Sequence, residues 1–178
     1  KSFASLSDGR KICNPRYFRT YEKAIAVAQR AKNKPRVRAI QAKIANARHH
    51  FLHQQSTLLV REFDFIAVGN VSPTKLAKTR MAKSVLDAGW SSFRHMLLYK
   101  AQKSGAVCIE VDERMTSRTC SSCGKIPDSS PKGMGTLGVR HWACSGCGTH
   151  HDRDVNAAQN ILRVGAERRP PAVEIASP

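Results

Sequence analysis

The order of apolar patterns along this 178-residue chain predicts a mixed α/β fold. The segment "FDFIAVGNV", residues 63–71, is apolar on both faces, as a strand inside a sheet should be. A second strand is predicted at "AVCIEVDE", residues 106–113, and a helical pattern lies between the two. Strands joined by helices favour a mixed α/β sheet. With 41% hydrophobic residues the chain can bury a core, and its length suits one domain with a small added module.

The first 62 residues predict a hairpin followed by two helices. Residues 1–13 alternate as strands do, with Asp8-Gly9 as the turn. Two helical patterns follow, separated by Pro35, so a helical hairpin is expected at about residues 17–62. The apolar positions of these helices are Phe18, Tyr21, Ile25 and Ala28 in one, and Val37, Ile40, Ile44, Ala47, Phe51 and Leu58 in the other.

Two more helices are predicted downstream. The first runs over about residues 84–102, and the second begins near Asp152. A Pro-rich stretch at residues 167–178 predicts a flexible tail. The packed sides are expected to be Leu86, Trp90, Phe93 and Leu97 in one helix, and Ala157, Ala158, Ile161 and Leu162 in the other.

Four of the six cysteines have the spacing of a metal site. They form two Cys-x-x-Cys pairs separated by twenty residues, and two such pairs complete a tetrahedral sulfur shell. Gly124 and Gly148 follow the pairs, where the chain must turn tightly. We predict a structural zinc ion, with iron or a redox pair as the alternatives. The ligands are Cys120, Cys123, Cys144 and Cys147. The other two cysteines, Cys13 and Cys108, are expected to be buried thiols in strands.

The charge of the chain predicts a polyanionic partner. Lys and Arg number 30 against 13 Asp and Glu, which gives a net charge of +17, and nucleic acid is the usual partner of such an excess. No apolar run reaches the length of a membrane helix, so no membrane association is expected. One stretch contains seven cations and no acid, and we predict phosphate contacts there, with a solvated helix face as the alternative. These cations are Arg30, Lys32, Lys34, Arg36, Arg38, Lys43 and Arg48.

Some histidines and acids elsewhere in the chain are further candidates for metal ligands. His49, His50 and His53 lack a nearby carboxylate, so we expect them to be solvated. Asp152 has the position of a helix N-cap. Asp154 lies inside the first turn, from which it could reach a divalent cation in a cleft at the end of the sheet.

These motifs together resemble the TnpB proteins of insertion sequences, which also resemble compact type V CRISPR effectors. The similarity rests on "TSRTCSSCG" and "RHWACSGCGTHHDRDVNAAQNIL", and upstream on "SFASLSDGRKICNPRYFR", "ARHHFLHQQSTLLVREFDFIAVGNV" and "KSVLDAGWSSFRHMLLYKAQKSG". It covers about residues 1–165. It implies an RNase H-like RuvC nuclease domain, with a core at 1–114, a zinc ribbon at 115–150 and a last helix at 151–166.

The resemblance also implies an activity and its partners. Members perform RNA-guided, Mg²⁺-dependent cleavage of DNA, and Asp154 falls on the last catalytic aspartate. Guide RNA and target DNA are therefore the expected partners, and the prokaryotic cytoplasm the expected location. The first catalytic aspartate of the family belongs to a strand before Lys1. We therefore expect a C-terminal portion that needs the N-terminal part of the parent protein and does not cleave by itself.

The family commonly carries a catalytic glutamate where this chain has Gly69. Glu110, Asp112 and Glu113 are the candidates to replace it. Glu113 is preferred because it ends a strand expected to neighbour the one with Gly69, and α/β sheets place their sites at strand carboxyl ends. A solvated strand-end acid is the alternative.

Two functions therefore remain open: the nuclease portion of an RNA-guided endonuclease, or an inactive nucleic-acid-binding module of the same family. A zinc-dependent deaminase is excluded because no His-x-Glu precedes a Pro-Cys-x-x-Cys.

Overall fold

The computed structural model describes residues 2–70, 87–132, 136 and 138–169. These residues divide into two compact units, one built mainly from residues 11–64 and 87–106 and the other from 65–70 and 107–169. The elements are β1 (Ser2–Ser5), β2 (Lys11–Cys13), α1 (Tyr17–Arg30), α2 (Lys34–Glu62), β3 (Phe65–Gly69), α3 (Trp90–Ser104), β4 (Val107–Val111), β5 (His141–Ala143), β6 (His150–Asp152) and α4 (Arg153–Glu167).

The hairpin predicted at the start of the chain is confirmed. Strands β1 and β2 pair in a two-stranded sheet, and Gly9 adopts a φ of 94° in the turn, which glycine tolerates without strain. Asp8 accepts a hydrogen bond from the Arg10 amide at 2.9 Å and stabilises the turn.

The predicted helical pair is also present, as α1 and α2. Its core contains Ile25, Ala28, Ile40 and Ile44. Pro35 does not separate the helices as predicted but lies in the first turn of α2, where a missing amide hydrogen costs nothing. Asn33 caps that turn by accepting a hydrogen bond from the Arg36 amide at 3.0 Å.

The packed face of α2 departs from the prediction in its second half. Leu58 is 52% exposed, whereas Leu52, Ser56 and Leu59 are buried. The predicted positions repeat every 3.5 residues, but a straight helix has 3.6 residues per turn and drifts by about 20° per heptad. Over the 29 residues of α2 the drift moves the buried stripe by one position.

The helix predicted over residues 84–102 is interrupted at Gly89, which has a φ of 70°: residues 87 and 88 are helical, and α3 begins at Trp90. Phe93 and Leu97 are buried as expected, and Leu86 lies outside the described residues. Lys100 joins α3 to α2: its ammonium group donates to the His53 carbonyl and to two hydroxyl groups at 2.7–2.8 Å.

The second unit contains a parallel pair of strands, β3 and β4, in which Gly69 lies opposite Val111. Helix α4 packs on this pair, and Gly165 permits the close approach because a Cβ there would collide with Ala67. The predicted packed side of α4 was wrong in part. Its buried residues are Asn156, Asn160 and Gly165, whereas Leu162 is 38% exposed.

The two remaining cysteines differ in environment. Cys13 is exposed, contrary to expectation, because β2 is a short strand with exposed ends. Cys108 is half-buried in β4, and burial raises the pKa of its thiol to about 11. Among the described helices, none combines the length and hydropathy that a membrane-spanning segment needs.

Candidate metal centre and carboxylate site

Two backbone turns of the same geometry hold the four cysteines. In the first, the Gly124 amide donates to the Cys120 carbonyl at 2.8 Å, and the Gly148 amide does the same to Cys144 in the second. Both glycines have a φ near 74°, which other residues rarely adopt. Each cysteine that opens a turn also donates its amide hydrogen to a carbonyl five residues ahead, at 2.9 Å. The tight turns predicted at the two glycines are therefore confirmed.

The sulfur atoms converge on a single point. All four lie within 4.8 Å of one another, with 3.7 Å between Cys120 and Cys147 and 3.8 Å between Cys123 and Cys144. A tetrahedral zinc site with bonds of about 2.3 Å places its sulfurs about 3.8 Å apart. The geometry therefore fits a tetrahedral metal ion.

The thiols of Cys120 and Cys147 differ in environment and in acidity. Cys120 is fully buried, and burial raises its pKa to about 11. The Cys147 sulfur is exposed and lies 3.3 Å from the Thr149 hydroxyl, and this hydrogen bond lowers the Cys147 pKa to about 6. Trp142 forms a buried cluster with Cys120 and Cys144.

Helix α4 begins directly after this module. Asp152 is its N-cap, as predicted, and accepts hydrogen bonds from the amides of Asp154 and Val155 at 3.0 and 3.1 Å. Because Asp152 satisfies the first turn, the Asp154 carboxylate is available for another role.

That carboxylate lies beside Arg140, which the sequence did not identify as a site residue. The Arg140 guanidinium donates to Asp154 Oδ2 at 2.6 Å, and the Arg140 carbonyl accepts from the Arg153 amide at 2.7 Å. The two side chains are 39% and 36% exposed, so solvent reaches the pair. A metal ion that binds Asp154 must therefore either displace the Arg140 guanidinium or bind beside it.

Glu113 occupies the space beside Gly69. Its carboxylate oxygen Oε2 lies 2.7 Å from the position that a Cβ atom on residue 69 would take. The two neighbouring candidates are elsewhere: Glu110 is an exposed residue of β4, and Asp112 accepts a hydrogen bond from the Arg114 amide at 3.0 Å. The predicted adjacency of the two strands is confirmed.

Two buried asparagines of α4 hold the segment that follows Glu113. The side-chain amides of Asn156 and Asn160 donate to the carbonyls of Thr116 and Thr119 at 2.7–3.2 Å. Thr116 in turn donates its hydroxyl to the Glu113 carbonyl at 2.7 Å. The backbone of Glu113 is therefore anchored to the helix that carries Asp154. The repeated Asn in "DVNAAQN" was the available signal, since residues i and i+4 share one helix face.

The seven predicted phosphate-binding cations lie in the first unit, around α1 and α2. Six of them are exposed, and three, Lys32, Lys34 and Arg38, line a depression of about 420 Å³ at the turn between the helices. Arg48 differs: it is only 27% exposed and pairs with buried Asp87 at 3.1 Å, so it has a structural partner.

The histidines of α2 lie close together at the surface. The Nε2 atoms of His49 and His53 are 3.2 Å apart. Among the described residues, the four cysteines form the one group of three or more potential metal ligands.

A family model and several relatives match this chain. The model described as "Cas12f1-like, TNB domain" matches residues 90–161. A protein of Streptomyces pristinaespiralis named "Putative RNA-guided DNA endonuclease" is 36% identical over 92% of this chain and 43% of its own length. The "CRISPR-associated endodeoxyribonuclease Cas12f1" of Sulfoacidibacillus thermotolerans is 30% identical over 70% of this chain and 29% of its own length. The chain thus spans less than half the length of these relatives.

A solved structure shares the fold. A chain in the cryo-EM structure of the Cas12f1–sgRNA–target DNA complex superposes with a TM-score of 0.66 over 85% of this chain and 43% of that one, at 19% identity. The "TnpB-like protein L79" of Acanthamoeba polyphaga mimivirus is 29% identical over 72% of this chain and 25% of its own length. Sequence motifs, relatives and fold agree, and the chain belongs to the TnpB family.

Proposed function

We propose that this chain is the nuclease portion of a transposon-associated, RNA-guided DNA endonuclease with a RuvC-like core. One observation supports this most directly. The Glu113 carboxylate occupies the place of a residue-69 side chain, where the family commonly has a catalytic glutamate. A carboxylate delivered from the neighbouring strand end would replace the one that Gly69 lacks.

The proposed catalytic residues are Glu113 and Asp154, together with a carboxylate supplied by the N-terminal part of the parent protein. Their oxygens suit Mg²⁺, which binds a few carboxylates and retains several waters. When bound, Mg²⁺ polarises the scissile phosphodiester and supplies an activated water. The protein residues hold the carboxylates in place: the Asn156 and Asn160 amides fix the turn after Glu113, and the Asp152 cap fixes the start of α4.

Residues 115–150 are proposed to be a zinc ribbon inserted before the last helix of the core. Four thiolates leave no open position on zinc, so the ion would have a structural role. Its function would be to hold β5 and β6 rigidly beside the start of α4. Arg140, just before β5, would then present its guanidinium to Asp154.

The basic residues of α1 and α2 are proposed to contact guide RNA or target DNA through phosphates. The three cations around the depression at the helix turn support this, since Lys and Arg that neutralise phosphates provide the sequence-independent affinity for nucleic acid. Binding and cleavage of nucleic acid are consistent with a cytoplasmic location. The chain by itself is expected to bind without cutting.

The alternative is an inactive nucleic-acid-binding module of the same family. Gly69 itself favours it, because the usual carboxylate is absent. The Arg140–Asp154 pair is also compatible with an acid that has only a structural role.

A cleavage assay separates the two. The parent protein that contains this chain is loaded with its guide RNA and given matched target DNA and Mg²⁺. We expect the parent to cut and both Glu113→Gln and Asp154→Asn to lose at least about 100-fold in rate, as for other electrostatic groups that act on the reacting centre.

Two controls complete the assay. Glu110→Gln removes a nearby exposed carboxylate of β4 and should cut like the parent. If Glu113→Gln also cuts normally while Asp154→Asn is inactive, Glu113 is a solvated strand-end acid. If the parent itself never cuts, the binding-module alternative is correct.

A further inference from the structure

His151 lies against the cysteine cluster, although it is not part of the Cys-x-x-Cys motifs. Its Nε2 atom is 3.1 Å from the sulfur of Cys120. Both residues are buried: Cys120 is 0% exposed and His151 is 8% exposed. The contact therefore lies inside the protein, where water cannot replace either partner.

We infer that His151 is a positioning residue for the metal centre, whose Nε2–H donates a hydrogen bond to the metal-bound Cys120 thiolate. This inference rests on the proposed zinc site. A thiolate bound to a metal carries no hydrogen, so in the loaded site the imidazole must be the donor.

A buried thiolate bound to zinc needs a hydrogen-bond donor. Four thiolates around one Zn²⁺ leave a net charge of −2, and a fully buried thiolate has no water to stabilise its part of that negative charge. The Cys123 amide also donates to the Cys120 sulfur, at 3.5 Å, and the imidazole contact at 3.1 Å is the shorter of the two. A hydrogen bond to a charged acceptor is about twice as strong as a neutral one.

The position of His151 also links the metal centre to α4. His151 lies opposite Trp142 in the antiparallel β5–β6 pair, and their rings pack at 4.7 Å with a tilt of 36°. Asp152, the cap of α4, is the next residue, and Asp154 follows in the first turn. A bond from this imidazole to sulfur therefore fixes the strand end from which the proposed catalytic acid emerges.

Two substitutions separate the hydrogen bond from the packing. His151→Phe keeps a ring against Trp142 but has no donor, whereas His151→Gln loses the ring but retains an N–H near Nε2. The control is His150→Phe, which changes an exposed neighbour of the same strand. The full chain is loaded with Zn²⁺, and its affinity is measured by competition with a chelator. The same proteins are loaded with Co²⁺ to record the thiolate-to-cobalt charge-transfer band.

We expect His151→Phe to weaken zinc binding by about 10–100-fold, as loss of an outer partner of a metal ligand typically does. Its cobalt band should move to lower energy, since a thiolate without a hydrogen bond gives up electron density more readily. His151→Gln should lie nearer to the parent in both measurements, and His150→Phe should match the parent.

Three results would overturn the inference. An unchanged affinity and band in His151→Phe would mean that the imidazole does not act on the sulfur. If His151→Phe and His151→Gln weaken zinc binding equally and leave the cobalt bands unchanged, His151 has only a packing role. A parent chain that binds no zinc would reject the zinc site itself, and the dependent role of His151 with it.

Discussion

At the scale of single residues, Glu113 and Gly69 share one small volume. The Glu113 carboxylate and Cβ lie 2.7 and 3.1 Å from the place of a residue-69 Cβ, and Ile161 closes the third side at 3.3 Å. A side chain at position 69 and the present Glu113 conformation therefore exclude each other. Glycine at position 69 leaves room for the Glu113 carboxylate in its present position.

This exclusion predicts an energetic coupling between the two positions. Gly69→Ala should destabilise the parent, because its Cβ displaces Glu113, but should cost less in a Glu113→Ala background. Residues in direct contact usually show coupling of about 0.5–3 kcal/mol, measured here as the difference in unfolding free energy by urea denaturation. Gly138→Ala is the control, since no atom of the described residues outside its chain neighbours lies within 4 Å of its Cβ position. An equal cost of Gly69→Ala in both backgrounds would contradict the shared volume.

Asp152 and Asp154, two residues apart, should respond in opposite ways to substitution. Asp152→Ala removes the N-cap of α4 and should lower stability by about 0.5–2 kcal/mol. Asp154→Asn removes only a solvent-exposed ion pair with Arg140, which is worth about 0–1 kcal/mol, but should abolish cleavage by the parent protein. Thermal unfolding and the cleavage assay measure the two effects. A larger stability loss in Asp154→Asn than in Asp152→Ala would give Asp154 a structural role.

At the scale of elements, local sequence patterns predicted most helices and strands but not the side-chain contacts between them. The β1–β2 hairpin, the helical pair and the neighbouring strands β3 and β4 follow from turn residues and periodicity. The buried stripe of α2 was misjudged after Phe51 because a 3.5-residue pattern drifts on a straight helix. The cysteine spacing similarly predicted the convergence of the four sulfurs.

The partners of the site residues could not be predicted in this way. Asn160 contacts Thr116 and Thr119, which are more than forty residues away in sequence. In a helical pattern, a polar residue such as Asn160 is normally assigned to the exposed face. Arg140 is one of thirty Lys and Arg, and no local feature marks it as the partner of Asp154. Such contacts depend on how α4 meets the segments before it.

The cysteine module should lose its fold without metal. Residues 115–152 contain two strands of three residues each and a small buried cluster around Trp142, which is too little to fold alone. Chelation of the metal, or Cys144→Ser, should expose Trp142 and shift its fluorescence to longer wavelength. A Trp90→Phe background isolates this signal, since the chain has two tryptophans. Unchanged emission after complete removal of zinc would show that the module folds without it.

At the scale of the whole molecule, the charge of +17 makes nonspecific attraction to nucleic acid unavoidable. If total charge alone determined affinity, any basic surface of the protein would bind nucleic acid equally well. The proposed interface is more specific: six exposed cations lie between residues 30 and 43 with no acid among them, and Lys43 lies over the Tyr21 ring at 5.4 Å. Binding should therefore depend on where the cations lie and not only on how many there are.

The salt dependence of binding tests this distinction. Each phosphate contact releases condensed counterions, so the logarithm of affinity falls linearly with the logarithm of salt concentration, by about 0.9 per contact on duplex DNA. Replacing Lys34, Arg36, Arg38 and Lys43 with Ala should reduce the slope by about 2–4. A matched variant loses four exposed cations elsewhere, Lys103, Lys125, Arg163 and Arg168, and therefore has the same net charge. Fluorescence anisotropy with a labelled duplex measures both slopes. If the two variants lose the same slope, binding follows net charge, and α2 is not the interface.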